Sequence, residues 1–262
     1  MLIVIDVGNT NTVIGALEGT RLVHHWRIST ISRTTDEVGM LLLQLMGHQG
    51  IALGAVQGAA ISCVVPSHIY SLEKACRRYL SVDPMVVGRG LRTGMRVRTD
   101  NPREVGADRI VNAVAAMEHH QGPLVVVDFG TATTFDCVNA DGDYVGGAIA
   151  PGFRISADAL FERTAKLPRI EVERTDRAIG TNTVASMQAG MFWGYVGLVD
   201  GLARRCKEEL RARYDGAKVP CIATGGLANL IGAACEEVDE VDLDLTLHGL
   251  RVLWELNRRV RS

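Results

Sequence analysis

Leu2-Ile3-Val4-Ile5-Asp6-Val7-Gly8-Asn9-Thr10-Asn11-Thr12 stands near the start of the chain. Leu2 to Ile5 are four apolar residues in a row, the composition of a short strand buried on both faces. Asp6 sits at the end of that strand. Gly8 suits a tight turn with φ > 0. Asn9, Thr10, Asn11 and Thr12 place small polar side chains and backbone N–H groups at the rim of the turn. Val13, Ile14 and Gly15 then resume an apolar run. The pattern reads as strand, polar hairpin, strand. A carboxylate held there can bind Mg²⁺, and the N–H and hydroxyl groups can bind phosphate oxygens. An ordinary hairpin carries the same turn residues, so the stretch alone leaves both readings open.

The pattern returns at Leu124-Val125-Val126-Val127-Asp128-Phe129-Gly130-Thr131-Ala132-Thr133-Thr134. Asp6 matches Asp128, Gly8 matches Gly130 and Thr12 matches Thr134. Two further strands follow each copy: up to Glu18 and Thr20–Ile28 after the first, 135–139 and 144–150 after the second. Ala60-Ile61-Ser62-Cys63-Val64 has an echo in Val219 to Gly226. This is an internal duplication of a βββαβα unit. The expected fold class is therefore α/β, two duplicated domains, divided here as residues 1–118 and 119–262. If the halves pack as a pair, the two Asp hairpins face one cleft, where ligands commonly bind.

Between the copies, Thr34 to Gln44 or beyond reads as a helix with Val38, Leu41, Leu42 and Leu45 on one face. Residues 57–65 read as a strand, 66–80 as a helix, 85–87 as a short strand and 102–119 as a helix with Pro102 in its first turn. Later helices are expected at 152–163, 183–214, 227–234 and 246–259. The helix from Thr183 carries Gly190, Gly194, Gly197 and Gly201, spaced to share one face. Glycine costs roughly 1 kcal/mol in a helix interior. Four on one face point to a close backbone approach, either within the chain or across a homodimer.

The chain has 262 residues, 47% hydrophobic and 22% charged, with a formal net charge of -2. That balance gives no electrostatic footprint for nucleic acid. Cys63, Cys76, Cys137, Cys206, Cys221 and Cys235 form no C-x-x-C pair and have no zinc-ligand spacing. They read as reduced thiols in a cytosolic protein. The apolar start is cut by Asp6 and lacks a basic flank, so neither a signal peptide nor a membrane span is expected. No Walker A glycine precedes Lys74, Lys166, Lys207 or Lys218, so any phosphate handling falls to the hairpins. Thr224-Gly225-Gly226, between a strand and a helix, would let backbone approach a flat ligand such as adenosine.

Val105-Gly106-Ala107-Asp108-Arg109 puts an Asp and an Arg in the first turns of a helix otherwise built for packing. Asp108 there is either a general base or metal ligand with Arg109 gripping an anion, or a helix-terminus carboxylate beside a surface Arg. Arg154 can bind phosphate or cover apolar surface. His24-His25 and His119-His120 read as solvated pairs.

Asp6-x-Gly8-Asn9-Thr10-Asn11-Thr12, Gly106-Ala107-Asp108-Arg109, Asp128-x-Gly130-Thr131-Ala132-Thr133-Thr134 and Gly180-Thr181-Asn182-Thr183 occur in this order, the last followed by Ser186 to Gly190. Together they resemble the type III pantothenate kinase family over essentially the whole chain. The resemblance implies two ribonuclease-H-like domains of the actin/Hsp70/sugar-kinase superfamily with a cleft between them. It also implies phosphorylation of pantothenate with ATP as the first step of coenzyme A synthesis, in a cytoplasmic homodimer using Mg²⁺ and a monovalent cation, K⁺ or NH₄⁺. By the same resemblance, Asp108 is the catalytic base, and Gly106, Ala107, Asp108 and Arg109 contact pantothenate. Thr183 reaches it from the neighbouring subunit, which puts the substrate site near the subunit interface. Asp6, Val7, Gly8, Asn9, Thr10, Asn11, Thr12 and Val13 hold the ATP phosphates, with Mg²⁺ bound through them at Asp6. Thr131 also contacts ATP, and Asp128 binds the monovalent cation. Family members often carry Tyr seven residues before the Gly of Gly-Ala-Asp-Arg; Thr99 stands there in this chain, so the pocket wall is built differently. Other sugar-type kinases share the Asp-x-Gly hairpins but not the Gly-Ala-Asp-Arg segment.

Overall fold

The computed structural model describes residues 1–88, 90–213 and 218–258. Its strands are β1 (Leu2–Val7), β2 (Asn11–Glu18), β3 (Arg21–Ser29), β4 (Gly58–Cys63), β5 (Met85–Val86), β6 (Leu124–Phe129), β7 (Ala132–Val138), β8 (Tyr144–Pro151), β9 (Cys221–Gly225) and β10 (Glu240–Val241). Its α-helices are α1 (Thr35–His48), α2 (Pro66–Tyr79), α3 (Ala107–His119), α4 (Phe153–Glu162), α5 (Thr183–Arg213) and α6 (Leu245–Arg258). The chain divides into two compact units. Unit 1 holds Met1–Met95, Arg103–Ala115 and the residues from Asp244 onward; unit 2 holds Arg96–Pro102 and Ala116–Leu243.

Unit 1 is built on a sheet of order β3-β2-β1-β4-β5, with β1 antiparallel to β2 and parallel to β4. Ile3, Val4 and Ile5 are completely buried, as an apolar run in a central strand must be. One face packs on α1 and α2 through Val38, Leu42, Met46, Leu72, Ala75 and Cys76. Helix α1 starts at a capping box: Glu37 N–H donates to Thr34 Oγ1, and Thr34 N–H donates to the Glu37 carboxylate at 2.7 Å. Helix α6 packs on β1, β2 and β4. Its Leu247, Leu250 and Leu253 are buried, and Leu247 comes close to Val4 where Gly15 leaves room for both.

Unit 2 repeats the plan. Its sheet has order β10-β9-β6-β7-β8, with β6 antiparallel to β7 and parallel to β9. Read from the other edge this is the order of unit 1, strand for strand, so the duplication is structural. Helix α5 lays Phe192, Val196, Val199 and Ala203 into the core of this unit. The 96–102 segment joins through a parallel bridge from Val97 to Tyr144 and an ion pair from Arg98 Nε to Asp143 Oδ2 at 2.9 Å.

Three expectations need correction. A division into 1–118 and 119–262 misses the return of the chain: the apolar stripe of α6 covers the sheet of unit 1. The helix expected from Pro102 is a 3₁₀ turn at Pro102–Glu104 followed, after a break at Gly106, by α3. The helix expected at 227–234 is a set of turns ending in a 3₁₀ turn at Gly232–Ala234. There the short-range bonds Leu230 N–H to Leu227 O and Ala234 N–H to Ile231 O serve to bury Ala228 and Ile231 completely. The other helices match to within a few residues; Tyr214 and Arg259, expected at two helix ends, lie outside the described residues. Among the described residues no helix is long and apolar enough to cross a membrane.

Candidate functional site

At the carboxyl end of β1, Asp6 pairs with Val13 on β2 and lies level with Ser62 on β4. The hairpin beyond it is closed by Gly8 N–H donating to Asn11 O at 3.0 Å. Gly8 does not use the left-handed backbone expected of it. What favours glycine is a close approach: a Cβ would stand 3.1 Å from Asn11 O, a tight contact. Asn9, Thr10 and Asn11 are exposed at the rim, where backbone N–H groups can meet an anion. Thr12 is buried, its hydroxyl 2.8 Å from that of Thr30, and Thr30 N–H donates to Thr10 O at 2.9 Å. The start of the hairpin is thus tied to the end of β3. Val7 is a core residue, 1% exposed, and its carbonyl accepts the Val64 N–H at 3.0 Å, so it shapes the hairpin from beneath. Val13 is half-buried.

Gly106, Ala107, Asp108 and Arg109 turn into α3 within the same unit. The Asp108 carboxylate folds back over Gly106, where a Cβ would collide with its Oδ1, and it accepts the Arg109 N–H at 2.9 Å. Burial raises the Asp108 carboxyl above its ordinary range, while the Arg109 N–H and guanidinium pull it down. Asp6 is pushed up to about 7, first by burial and then by the charge of Asp108, with the Ser62 hydroxyl opposing. Asp6 therefore feels the charge of Asp108, a hundred residues away in sequence, within one unit. Such a pair is an acid–base and cation-binding arrangement in chemical terms. Ser62 was not singled out from the sequence. Its signal is a lone hydroxyl at the end of the buried apolar run Ala59-Ala60-Ile61.

In unit 2, Asp128 pairs with Thr134 on β7 and Thr224 on β9. The two hairpins differ in length. Val7 pairs with Thr12, but Phe129, its counterpart, pairs with Thr133. The second hairpin is one residue shorter, so Thr12 corresponds to Thr133 and not to Thr134. Both are buried, at 6% and 1% exposure, which the ungapped match conceals. Thr131 is exposed at the tip. Gly225, at φ +91, lies against Asp128: a Cβ there would stand 2.4 Å from Asp128 Oδ1 and 2.7 Å from Phe129 N. The backbone approach expected at Thr224-Gly225-Gly226 is thus an approach to the Asp128 carboxylate.

Thr183 opens α5 and is exposed; Asn182 caps the helix by accepting the Ala185 N–H at 2.9 Å. Residues Gly180 to Thr183 line an open groove with Leu160, Met187 and Met191. Gly190, Gly194, Gly197 and Gly201 have nothing within 4 Å of the place a Cβ would take. Close packing against the described residues of the chain is therefore not what these glycines serve. Thr99 lies in unit 2, with its Oγ1 buried and without a hydrogen-bond partner. Arg154 is exposed in the first turn of α4. His25 and His120 pair with Asp244 and Glu240 at 3.4 and 2.9 Å. Among the described residues no three His, Cys, Asp or Glu side chains cluster as a metal cage, so a bound cation would take part of its coordination from a ligand or water.

Comparison with known proteins agrees with this geometry. In solved structures the fold recurs in a putative Baf family transcriptional activator from Campylobacter jejuni, with a TM-score of 0.61 and 17% identity over 98% of this chain and 99% of that one. It recurs in component A of (R)-2-hydroxyglutaryl-CoA dehydratase from Acidaminococcus fermentans, with a TM-score of 0.52 and 14% identity over 100% and 99% of the two chains. In sequence, a type III pantothenate kinase from Koribacter versatilis is 51% identical, covering 98% of this chain and 96% of its own. One from Pelobacter propionicus is 55% identical over 98% of this chain and all of its own. The family model of type III pantothenate kinase matches residues 2–205, which include both Asp hairpins, the Gly-Ala-Asp-Arg turn and the start of α5. On this sequence evidence, carried on a duplicated ribonuclease-H-like fold, the chain belongs to the type III pantothenate kinase family.

Proposed function

We propose that this protein phosphorylates pantothenate with ATP, giving 4'-phosphopantothenate in the first step of coenzyme A biosynthesis. One observation carries the assignment of the chemistry: the Gly106 to Arg109 turn lies in the same unit as the Asp6 hairpin, with Asp108 close enough to raise the Asp6 carboxyl. Phosphoryl transfer asks for positioning and charge neutralisation more than for covalent help. Asp108 orients the pantothenate hydroxyl and takes its proton as the in-line transfer proceeds. Its partial burial favours that role, because a raised carboxyl is a better base. Arg109 faces the substrate's carboxylate, and Gly106 and Ala107 leave the turn narrow enough for close contact.

Asp6 to Val13 cradle the ATP phosphates, through N–H groups and small polar side chains at the rim, with Val7 beneath them; Thr131 adds a contact in unit 2. Asp6 fits Mg²⁺ held jointly with phosphate oxygens, as one carboxylate without a protein cage suits that ion. When bound, Mg²⁺ neutralises charge on the triphosphate. Asp128 holds the monovalent cation, K⁺ or NH₄⁺; Gly225 keeps side-chain bulk away from its carboxylate. The protein acts in the cytoplasm as a homodimer in which Thr183 reaches the substrate of the neighbouring subunit. The open glycine face of α5 supports that assembly, since none of the described residues occupies it. The test is ADP release with pantothenate or a panel of sugars as acceptor, with and without K⁺. Release dependent on pantothenate and enhanced by K⁺ is expected. Turnover with a sugar and none with pantothenate would overturn the reading.

A further inference from the structure

Helix α3 carries Asp108 in its first turn and Asn112 one turn later, on the same side of the helix. Asn112 is 1% exposed, and Val111 and Ala113 beside it are completely buried. A polar side chain in such a stretch costs free energy unless it is bonded. Asn112 Oδ1 accepts a hydrogen bond from the Thr246 hydroxyl of α6 at 2.7 Å. Thr246 stands in the first turn of α6 and is half-buried. Three residues on, Gly249 lets the two helix backbones touch, since a Cβ there would collide with Val111 O. Neither Asn112 nor Thr246 falls in the hairpins or in the Gly-Ala-Asp-Arg turn.

The other side of α6 packs on β1, β2 and β4, and Asp6 stands at the end of β1. All these residues belong to unit 1. A continuous path of packed elements therefore runs from Asp6 through β1 and α6 to α3 and Asp108. Apolar burial would hold α3 in place as well, but it is non-directional. A backbone contact at one point, Gly249 on Val111, is a pivot about which α3 can swing. The Thr246–Asn112 bond, set three residues from that pivot along α6, stops the swing. Asp108 lies four residues from Asn112, about 6 Å along the helix axis, so a swing of about 10° moves it by about 1 Å. A displacement of that size is enough to cost ~10²-fold in rate.

We propose, on the reading of Asp108 as the general base, that Asn112 and Thr246 are positioning residues for phosphoryl transfer: their hydrogen bond fixes the angle of α3 on α6 and so aims the Asp108 carboxylate at the reacting hydroxyl. Both act through Asp108. Losing their bond therefore removes an alignment needed in the transition state and leaves ground-state binding of pantothenate and ATP in place.

The experiment removes the hydroxyl at nearly constant size with Thr246→Val, in the full chain and again on top of Asp108→Asn. In the otherwise unsubstituted chain kcat should fall by at least ~10-fold. KM for pantothenate and for ATP should move by less than about threefold, with the circular dichroism spectrum unchanged. Thr246→Ser keeps the hydroxyl and should hold turnover within about threefold of the parent. On top of Asp108→Asn, Thr246→Val should cost less than about twofold, because a misaimed base and an absent base are the same loss. Near-normal turnover of Thr246→Val beside a crippled Asp108→Asn would overturn the positioning role and leave the base standing. Losses that multiply in the double variant would overturn it too, since Thr246 would then act other than through Asp108. Near-normal turnover of Asp108→Asn alone would remove the base and this proposal with it. If Thr246→Val does not fold, Thr246→Ala, which adds no bulk at a half-buried position, is put through the same comparison with the same criteria.

Discussion

Replacing Asp6 by Asn should stabilise the protein, and the gain should grow with pH. Burial comes first and the Asp108 charge second in lifting the Asp6 carboxyl from 3.8 to about 7. In the unfolded chain the group ionises near its ordinary value. Between the two values the unfolded chain has released the proton while the folded chain still holds it. Stability therefore falls as pH rises through that window, and the full penalty stands above it. A difference from 3.8 to about 7 corresponds to ~4 kcal/mol. Asparagine has no charge to bury at any of these pH values. From pH 5 to pH 8 the advantage of Asp6→Asn should widen by ~3 kcal/mol, roughly 6–12 °C in melting temperature for a chain of this size. The assay is thermal unfolding of both proteins at pH 5, 6, 7 and 8, without nucleotide or divalent cation. Addition of Mg²⁺ and ATP should then raise the melting temperature of the parent and leave the variant nearly unmoved. A melting-temperature difference that stays flat from pH 5 to pH 8 would refute the reasoning. The folded carboxyl would then titrate where the unfolded one does.

Asp108→Asn should lower turnover by at least ~10²-fold while ATP binding persists, because the amide cannot take the hydroxyl proton; single-turnover kinetics beside nucleotide titration would check this, and near-normal turnover would remove the base role. The same substitution takes one charge away from Asp6, so the pH dependence of stability attributed to Asp6 should become shallower. Asp128→Ala should weaken the response to K⁺, and an unchanged activation curve across K⁺ concentrations would set that cation site aside. A Cβ at Gly194 meets none of the described residues, so in Gly194→Leu circular dichroism should be unaltered, whereas light scattering should find monomer in place of dimer. A dimer that persists would move the interface elsewhere.

Much of the fold was legible because apolar runs and turn residues specify strands locally. Asp6-x-Gly8 and Asp128-x-Gly130 announced the duplication, and the two sheets share one strand order. The shorter second hairpin was not legible, since Thr131, Ala132, Thr133 and Thr134 read equally well in either register until strand pairing fixes it. Gly8 reads as a glycine for a left-handed turn, which it does not use; the crowding at Asn11 O that favours a small residue there cannot be seen from composition. Asp108 stood out in an apolar helix, but its influence on Asp6 depends on tertiary placement alone. The 227–234 stretch has helical composition, yet burying Ala228 and Ile231 under β9 and β10 favours tight turns over a regular helix. The destination of α6 was hidden as well, because an apolar stripe says that a helix is covered and not by what.

The return of α6 to the first sheet has a consequence for the order of assembly during synthesis. Every residue of unit 2 is translated before α6 is made, so the later unit can complete its core first. Unit 1 waits with one face of β1 and β4 uncovered until Leu247, Leu250 and Leu253 arrive. The backbone of α6 also meets that of α3 at Gly249, where a Cβ would collide with Val111 O. Unit 1 precedes unit 2 in the sequence yet is finished after it, and Asp6 and Asp108 are held in their final relation only once α6 has been made.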